Sequence, residues 1–116
     1  MTHILTSIDD GVGTITIDRR ERFNSLDVET ARELRKAGLQ MARDASVRAV
    51  VLRGAGGVFC SGADLKDIRN APSYGDAFKE ILEYIHSTIS VIRRAPKPFL
   101  AAVDGIAAAG DRKSVV

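Results

Sequence analysis

The chain has 116 residues, 45% of them hydrophobic and 28% charged, which fits one globular domain or a piece of a larger one. Its 17 basic and 15 acidic residues leave a net charge of +2, too small and too scattered to argue for a nucleic-acid or membrane-surface partner. A single cysteine, Cys60, excludes an internal disulfide and a cysteine-rich metal site, no apolar run approaches a membrane span, and no signal-peptide pattern opens the chain, so a cytoplasmic setting is expected.

Two short strand patterns come first, Ile4 to Asp9 and Val12 to Asp18, separated by Asp10-Gly11, a dipeptide suited to a tight hairpin. After a polar bend from Arg19 to Ser25, Asp27 is placed to cap a helix. Ala31, Leu34, Gly38, Met41, Ala42 and Ala45 fall on one face of that helix. Ala49 to Leu52 is then continuously apolar, the pattern of a parallel strand covered on both sides. Gly54-Ala55-Gly56-Gly57 turns the chain and Val58 to Cys60 extends it briefly.

A second helix is expected from about Gly75 to Arg94, with Phe78, Ile81, Leu82, Ile85, Ile89 and Ile92 as a core-facing stripe. Arg93, Arg94 and Lys97 complement the dipole at its end. Pro96 and Pro98 stop it, and Phe99 to Val103 reads as another buried strand. The order ββαβαβ makes the domain α/β.

The segment Phe59-Cys60-Ser61-Gly62-Ala63-Asp64-Leu65 follows a strand and a glycine-rich bend. Glycine lets backbone pass close to a ligand, and Asp64 is placed to start a helix whose first N–H groups have no partner within it, so this corner is suited to hold an oxyanion. Two phosphate-binding readings fail. A Walker A reading places Ala63 and Asp64 where Lys and Ser or Thr are required, and a dinucleotide reading places Phe59 at the third glycine. Cys60 as a nucleophile lacks a base, because neither His3 nor His86 is placed to serve it; packing is the simpler role. The two histidines lack metal-ligand spacing and read as surface or boundary residues, and Asp104 before Gly105 reads as a turn former.

Three stretches together resemble the crotonase superfamily, the enoyl-CoA hydratases and isomerases. Arg19 to Leu26 is similar to that family's basic Asn-Ala-Leu loop, Phe59 to Leu65 to its Phe-x-x-Gly-x-Asp-Leu element, and Ala101 to Gly110 to its Ala-Val-x-Gly-x-Ala-x-Gly-Gly element. The resemblance implies a crotonase-like spiral of ββα units, of which this chain holds the N-terminal half. It implies an acyl-CoA thioester as substrate, with CoA part of that substrate and no separate cofactor or metal. It further implies that the backbone N–H groups of Ala63 and Gly110 form an oxyanion hole for an enolate-like oxygen. Asp64, Leu65 and Lys66 continue the substrate-binding stretch, and Arg22 lies in the loop that meets the CoA nucleotide. Intact family members form homotrimers or hexamers.

The pattern breaks after Gly110. Lys113 stands where hydratases carry a glutamate, and the second glutamate of those enzymes lies further on, so the acid and base machinery is absent. Residues 1–110 are therefore expected to be a partial acyl-CoA-binding domain, and residues 111–116 an artefactual tail outside the family pattern. Two other readings stand beside a hydratase or isomerase: a truncated chain without activity of its own, and a stand-alone nucleotide-binding or interaction module.

Overall fold

The computed structural model describes residues 3–22, 24–60, 74–102 and 106–107. Strands β1 (Ile4–Asp9) and β2 (Val12–Ile17) form an antiparallel hairpin in which Asp9 pairs with Val12. Asp10 and Gly11 both take positive φ, 50° and 80°, the backbone of a type I′ turn, whose twist matches that of the strands it joins.

A short 3-10 turn (Arg20–Arg22) leads to helix α1 (Val28–Arg43). Asp27 starts this helix from an extended backbone, and its carboxylate accepts from the Thr30 N–H at 2.8 Å. Strand β3 (Ala49–Gly54), a tight bend (Ala55–Gly57) and strand β4 (Val58–Cys60) follow. Helix α2 (Tyr74–Arg94) then leads to β5 (Phe99–Ala102) and β6 (Ile106–Ala107).

The described strands make two sheets. Four stand in the order β1-β2-β3-β5, antiparallel in the hairpin and parallel thereafter. The other two, β4 and β6, pair in parallel as a separate sheet. The expected order ββαβαβ is thus extended by β4 and β6. Two residues at Ile106–Ala107 are too few to show a period in sequence, and only their partner in β4 reveals them as a strand.

Register decides which side chains meet. Ile4 pairs with Ile17, Gly13 with Val50, Ile15 with Leu52 and Val50 with Phe99, so these residues share one face of the larger sheet. That face packs with Ala37, Met41, Val47 and Ile92 into the main core, in which Phe99, Ile15 and Val50 are fully buried. Gly13 is part of the fit, since a methyl group there would stand 2.6 Å from Met41 Sδ. A second cluster joins Leu26 and Ala31 to Ile81, between the start of α1 and the middle of α2. Arg35 Nε donates to Ser87 Oγ at 2.7 Å across the same two helices.

Several expectations need correction. Ala45 is exposed, because Asp44 ends α1 before reaching it. Phe78 is also exposed, at the N-terminal end of α2, while Ile81 and Ile92 carry the buried stripe and Leu82, Ile85 and Ile89 are half-buried. β3 is parallel and flanked by strands on both edges, yet only Val50 and Leu52 are buried; Ala49 and Val51 lie on the other face and are half-covered among the described residues.

Lys97 serves a different helix from the one expected. Its Nζ donates to the carbonyls of Met41 and Asp44, both at 2.9 Å, and so closes the C-terminus of α1 rather than α2. Replacing Lys97 with Met keeps the apolar stem but removes both bonds and the favourable charge; urea unfolding should show a loss of about 1–2 kcal/mol. The same measurement on Arg94→Met, an exposed position, should move by less than about 0.5 kcal/mol.

Candidate functional site

The site is approached through the polar bend, in which Arg19, Asn24 and Ser25 turn inward rather than into water. Arg19 is 6% exposed and Asn24 0%, unusual for such side chains unless each polar atom is matched. The Arg19 N–H donates to Asn24 Oδ1 at 2.7 Å, and Nη1 of the same arginine donates to the Ser25 carbonyl at 2.8 Å. Nη2 lies 3.3 Å from Asp27 Oδ2, so the residue that caps α1 also neutralises the buried guanidinium. Asn24 closes the loop on itself by donating its own N–H to the Arg19 carbonyl at 2.8 Å.

From this knot the loop reaches the bend between β3 and β4. Asn24 Nδ2 donates to the Ala55 carbonyl at 2.8 Å. The Arg20 side chain lies over Gly56, where a methyl group would sit 2.6 Å from Arg20 Cδ and the backbone holds φ at 74°. Gly56 thus needs glycine twice over, for its φ and for the arginine against it. The bend opens directly into β4, and β4 into the segment expected to hold the substrate oxygen.

Arg22 ends the 3-10 turn half-buried, its N–H donating to the Arg19 carbonyl at 3.0 Å. Ala63, Asp64, Leu65, Lys66 and Gly110 lie outside the described residues. Cys60 closes β4, and the expected turn at Asp104 also lies outside the described residues. His86 is exposed; His3 is half-buried, with Nδ1 at 3.2 Å from the Asp18 carbonyl, in keeping with a boundary role. Among the described residues no group of three or more His, Cys, Asp or Glu is arranged to hold a metal ion. An open groove lined by Arg35, Lys79, Glu83 and Tyr84 runs between the helices and contains none of the expected site residues.

Reading the sequence gave Asn24 no role of its own. The signal was present in its residue type, for asparagine is among the few non-glycine residues that readily adopt left-handed backbone, and Asn24 holds φ at 55°.

Asp27 carries the electrostatics of the knot. Partial burial is the largest influence and pushes its carboxyl up. The Thr30 hydroxyl and N–H, the Arg19 guanidinium and His3 together outweigh it and hold the carboxyl below its ordinary 3.8. The firm contact is the Thr30 N–H at 2.8 Å, since the Thr30 hydroxyl oxygen is buried without a hydrogen-bond partner among the described residues.

This architecture, a hairpin followed by helix-linked parallel strands with a second small sheet, is the crotonase fold. It superposes on the crystal structure of an enoyl-CoA hydratase from Bacillus anthracis with a TM-score of 0.82 at 30% identity, covering 91% of this chain and 41% of that one. An enoyl-CoA hydratase/isomerase from Xanthobacter autotrophicus Py2 superposes with a TM-score of 0.78 at 40% identity, covering 90% and 39%. The sequence profile of the enoyl-CoA hydratase/isomerase family matches residues 7–113, and the chain belongs to that family. Among curated relatives, 1,2-epoxyphenylacetyl-CoA isomerase of Escherichia coli K12 is 36% identical over 111 residues, 93% of this chain and 42% of the relative. A 4-chlorobenzoyl coenzyme A dehalogenase of an Arthrobacter species is 34% identical over 110 residues, 93% and 40%. The chain therefore spans about 40% of the length of the relatives it matches.

A carboxyl depressed on folding contributes stability that is present above its unfolded pKa and lost as pH falls through its folded value. Asp27→Asn keeps a capping oxygen but gives up the charge, and should cost about 1 kcal/mol at neutral pH. The difference between wild type and variant in urea unfolding should begin to shrink as pH falls through the ordinary carboxyl range and vanish only below the depressed folded pKa of Asp27, where the carboxyl is protonated in both states.

Proposed function

We propose that this chain is the N-terminal part of an acyl-CoA hydratase or isomerase working through an enolate-like oxygen on the thioester carbonyl. The observation that carries the proposal is the family match across residues 7–113, which takes in both stretches read as oxyanion donors. Two relatives whose names specify CoA thioesters, the epoxyphenylacetyl-CoA isomerase and the chlorobenzoyl-CoA dehalogenase, align over 93% of the chain.

In this reading the N–H groups of Ala63 and Gly110 converge on the thioester oxygen. As charge moves onto that oxygen, two neutral donors meet it without rearranging, and each such donor is typically worth about 10²- to 10³-fold in rate. Asp64, Leu65 and Lys66 line the substrate, while Arg22 offers its guanidinium to a CoA phosphate. CoA enters as part of the substrate, and no other cofactor is needed. A cytoplasmic setting belongs to this reading. No described helix is long and apolar enough to cross a membrane. The trimeric or hexameric assembly belongs to the full-length family domain.

A second reading is favoured by length. With about 40% of its relatives' span and Lys113 in place of a hydratase glutamate, the 116-residue polypeptide is expected to bind acyl-CoA without turning it over. Calorimetric titration of the chain with a short enoyl-CoA and with free CoA, alongside a spectrophotometric hydration assay, tests both statements. The expected result is a preference for the thioester with no hydration above background. Robust hydration would overturn the inert reading, and equal affinity for CoA and thioester would overturn the oxyanion-hole reading.

A further inference from the structure

We infer that Asn24 is a positioning residue for the bend at 55–57 and for β4, which leaves it. Asn24 is wholly buried, and its side chain is used at both ends: Oδ1 accepts from the Arg19 N–H at 2.7 Å, which fixes the amide's orientation, and Nδ2 then points at the Ala55 carbonyl, 2.8 Å away. Thirty-one residues separate the two partners in sequence. The same loop presses on the next residue of the bend, where the Arg20 stem lies against Gly56.

Backbone conformation supports this assignment. Two non-glycine residues among those described hold positive φ, Asp10 and Asn24. A two-residue hairpin turn demands it of Asp10. No hairpin demands it of Asn24; asparagine tolerates this backbone better than most residues, and here its surroundings select it. At Asn24 those surroundings are the Arg19 N–H and carbonyl on one side and the Ala55 carbonyl on the other. Arg19 is in turn fixed by Asp27, so the start of α1, the polar loop and the exit of β3 are held as one unit.

Asn24 touches no substrate in this arrangement; it acts through Ala55. Its consequence for chemistry rests on the proposed function, in which the chain beyond β4 presents an oxyanion donor, and small displacements of a hydrogen-bond donor from a developing charge are costly.

The test uses the whole 116-residue chain and two variants. Asn24→Asp keeps an oxygen for the Arg19 N–H and tolerance for left-handed φ, but sets an oxygen against the Ala55 carbonyl. Asn24→Gly suits the backbone and lacks both contacts, and serves if the aspartate variant fails to fold. Amide hydrogen exchange should quicken about tenfold or more at Gly56 to Cys60 in either variant, with the β1–β2 hairpin unchanged. The preference for a short acyl-CoA over free CoA should fall by about tenfold while affinity for free CoA stays constant. Uniformly faster exchange across the sheet would mark a merely structural residue and overturn the inference, as would unchanged exchange at the bend. If wild type shows no thioester preference, the functional reading fails on that result alone, and the exchange data still decide the role of Asn24.

Discussion

The hydrogen bond from Asn24 Nδ2 to the Ala55 carbonyl joins two parts of the chain that share no secondary structure. Its strength comes from burial. With Asn24 fully excluded from water, the alternative to this bond is an unsatisfied amide N–H on the Asn24 side. The amide can serve Ala55 only because the Arg19 N–H holds its other end, and Arg19 can be buried only because Asp27 neutralises it. Asp27 also caps α1, so helix start and bend share one set of contacts.

Around this polar knot the apolar residues separate by register. β2 and β3 turn Ile15, Ile17, Val50 and Leu52 toward the helices, and Phe99 completes the same face from β5. α1 is held at both ends by residues outside it: Arg19 reaches its N-cap, and the distant Lys97 its last carbonyls. Helix and sheet are thus fixed by directional bonds at their ends and by non-directional burial between them.

For acyl-CoA chemistry, the proposed function asks a scaffold to hold neutral backbone donors still while charge appears on a thioester oxygen. The contacts that brace the bend before β4 come from the polar loop between β2 and α1. Arg20 and Asn24 sit two residues to either side of Arg22, and each is committed to the bend, one by packing and the other by hydrogen bonding.

Local signals were legible where chemistry acts over a few residues. Asp10-Gly11 determined the hairpin, Asp27 the start of α1, and the apolar run at Ala49–Leu52 a parallel strand, because turn propensity, capping and strand hydrophobicity are properties of neighbours in sequence. The motif segments determined family membership for the same reason, since residue type and spacing are one-dimensional facts. Tertiary structure decided the rest: that Lys97 closes α1, that Phe78 stays exposed while Ile81 is buried, that Ile106–Ala107 is a strand, and that Asn24 grips Ala55. Each of these depends on a partner tens of residues away, and no local preference of Lys, Phe, Ile or Asn encodes which distant group the fold will bring within reach.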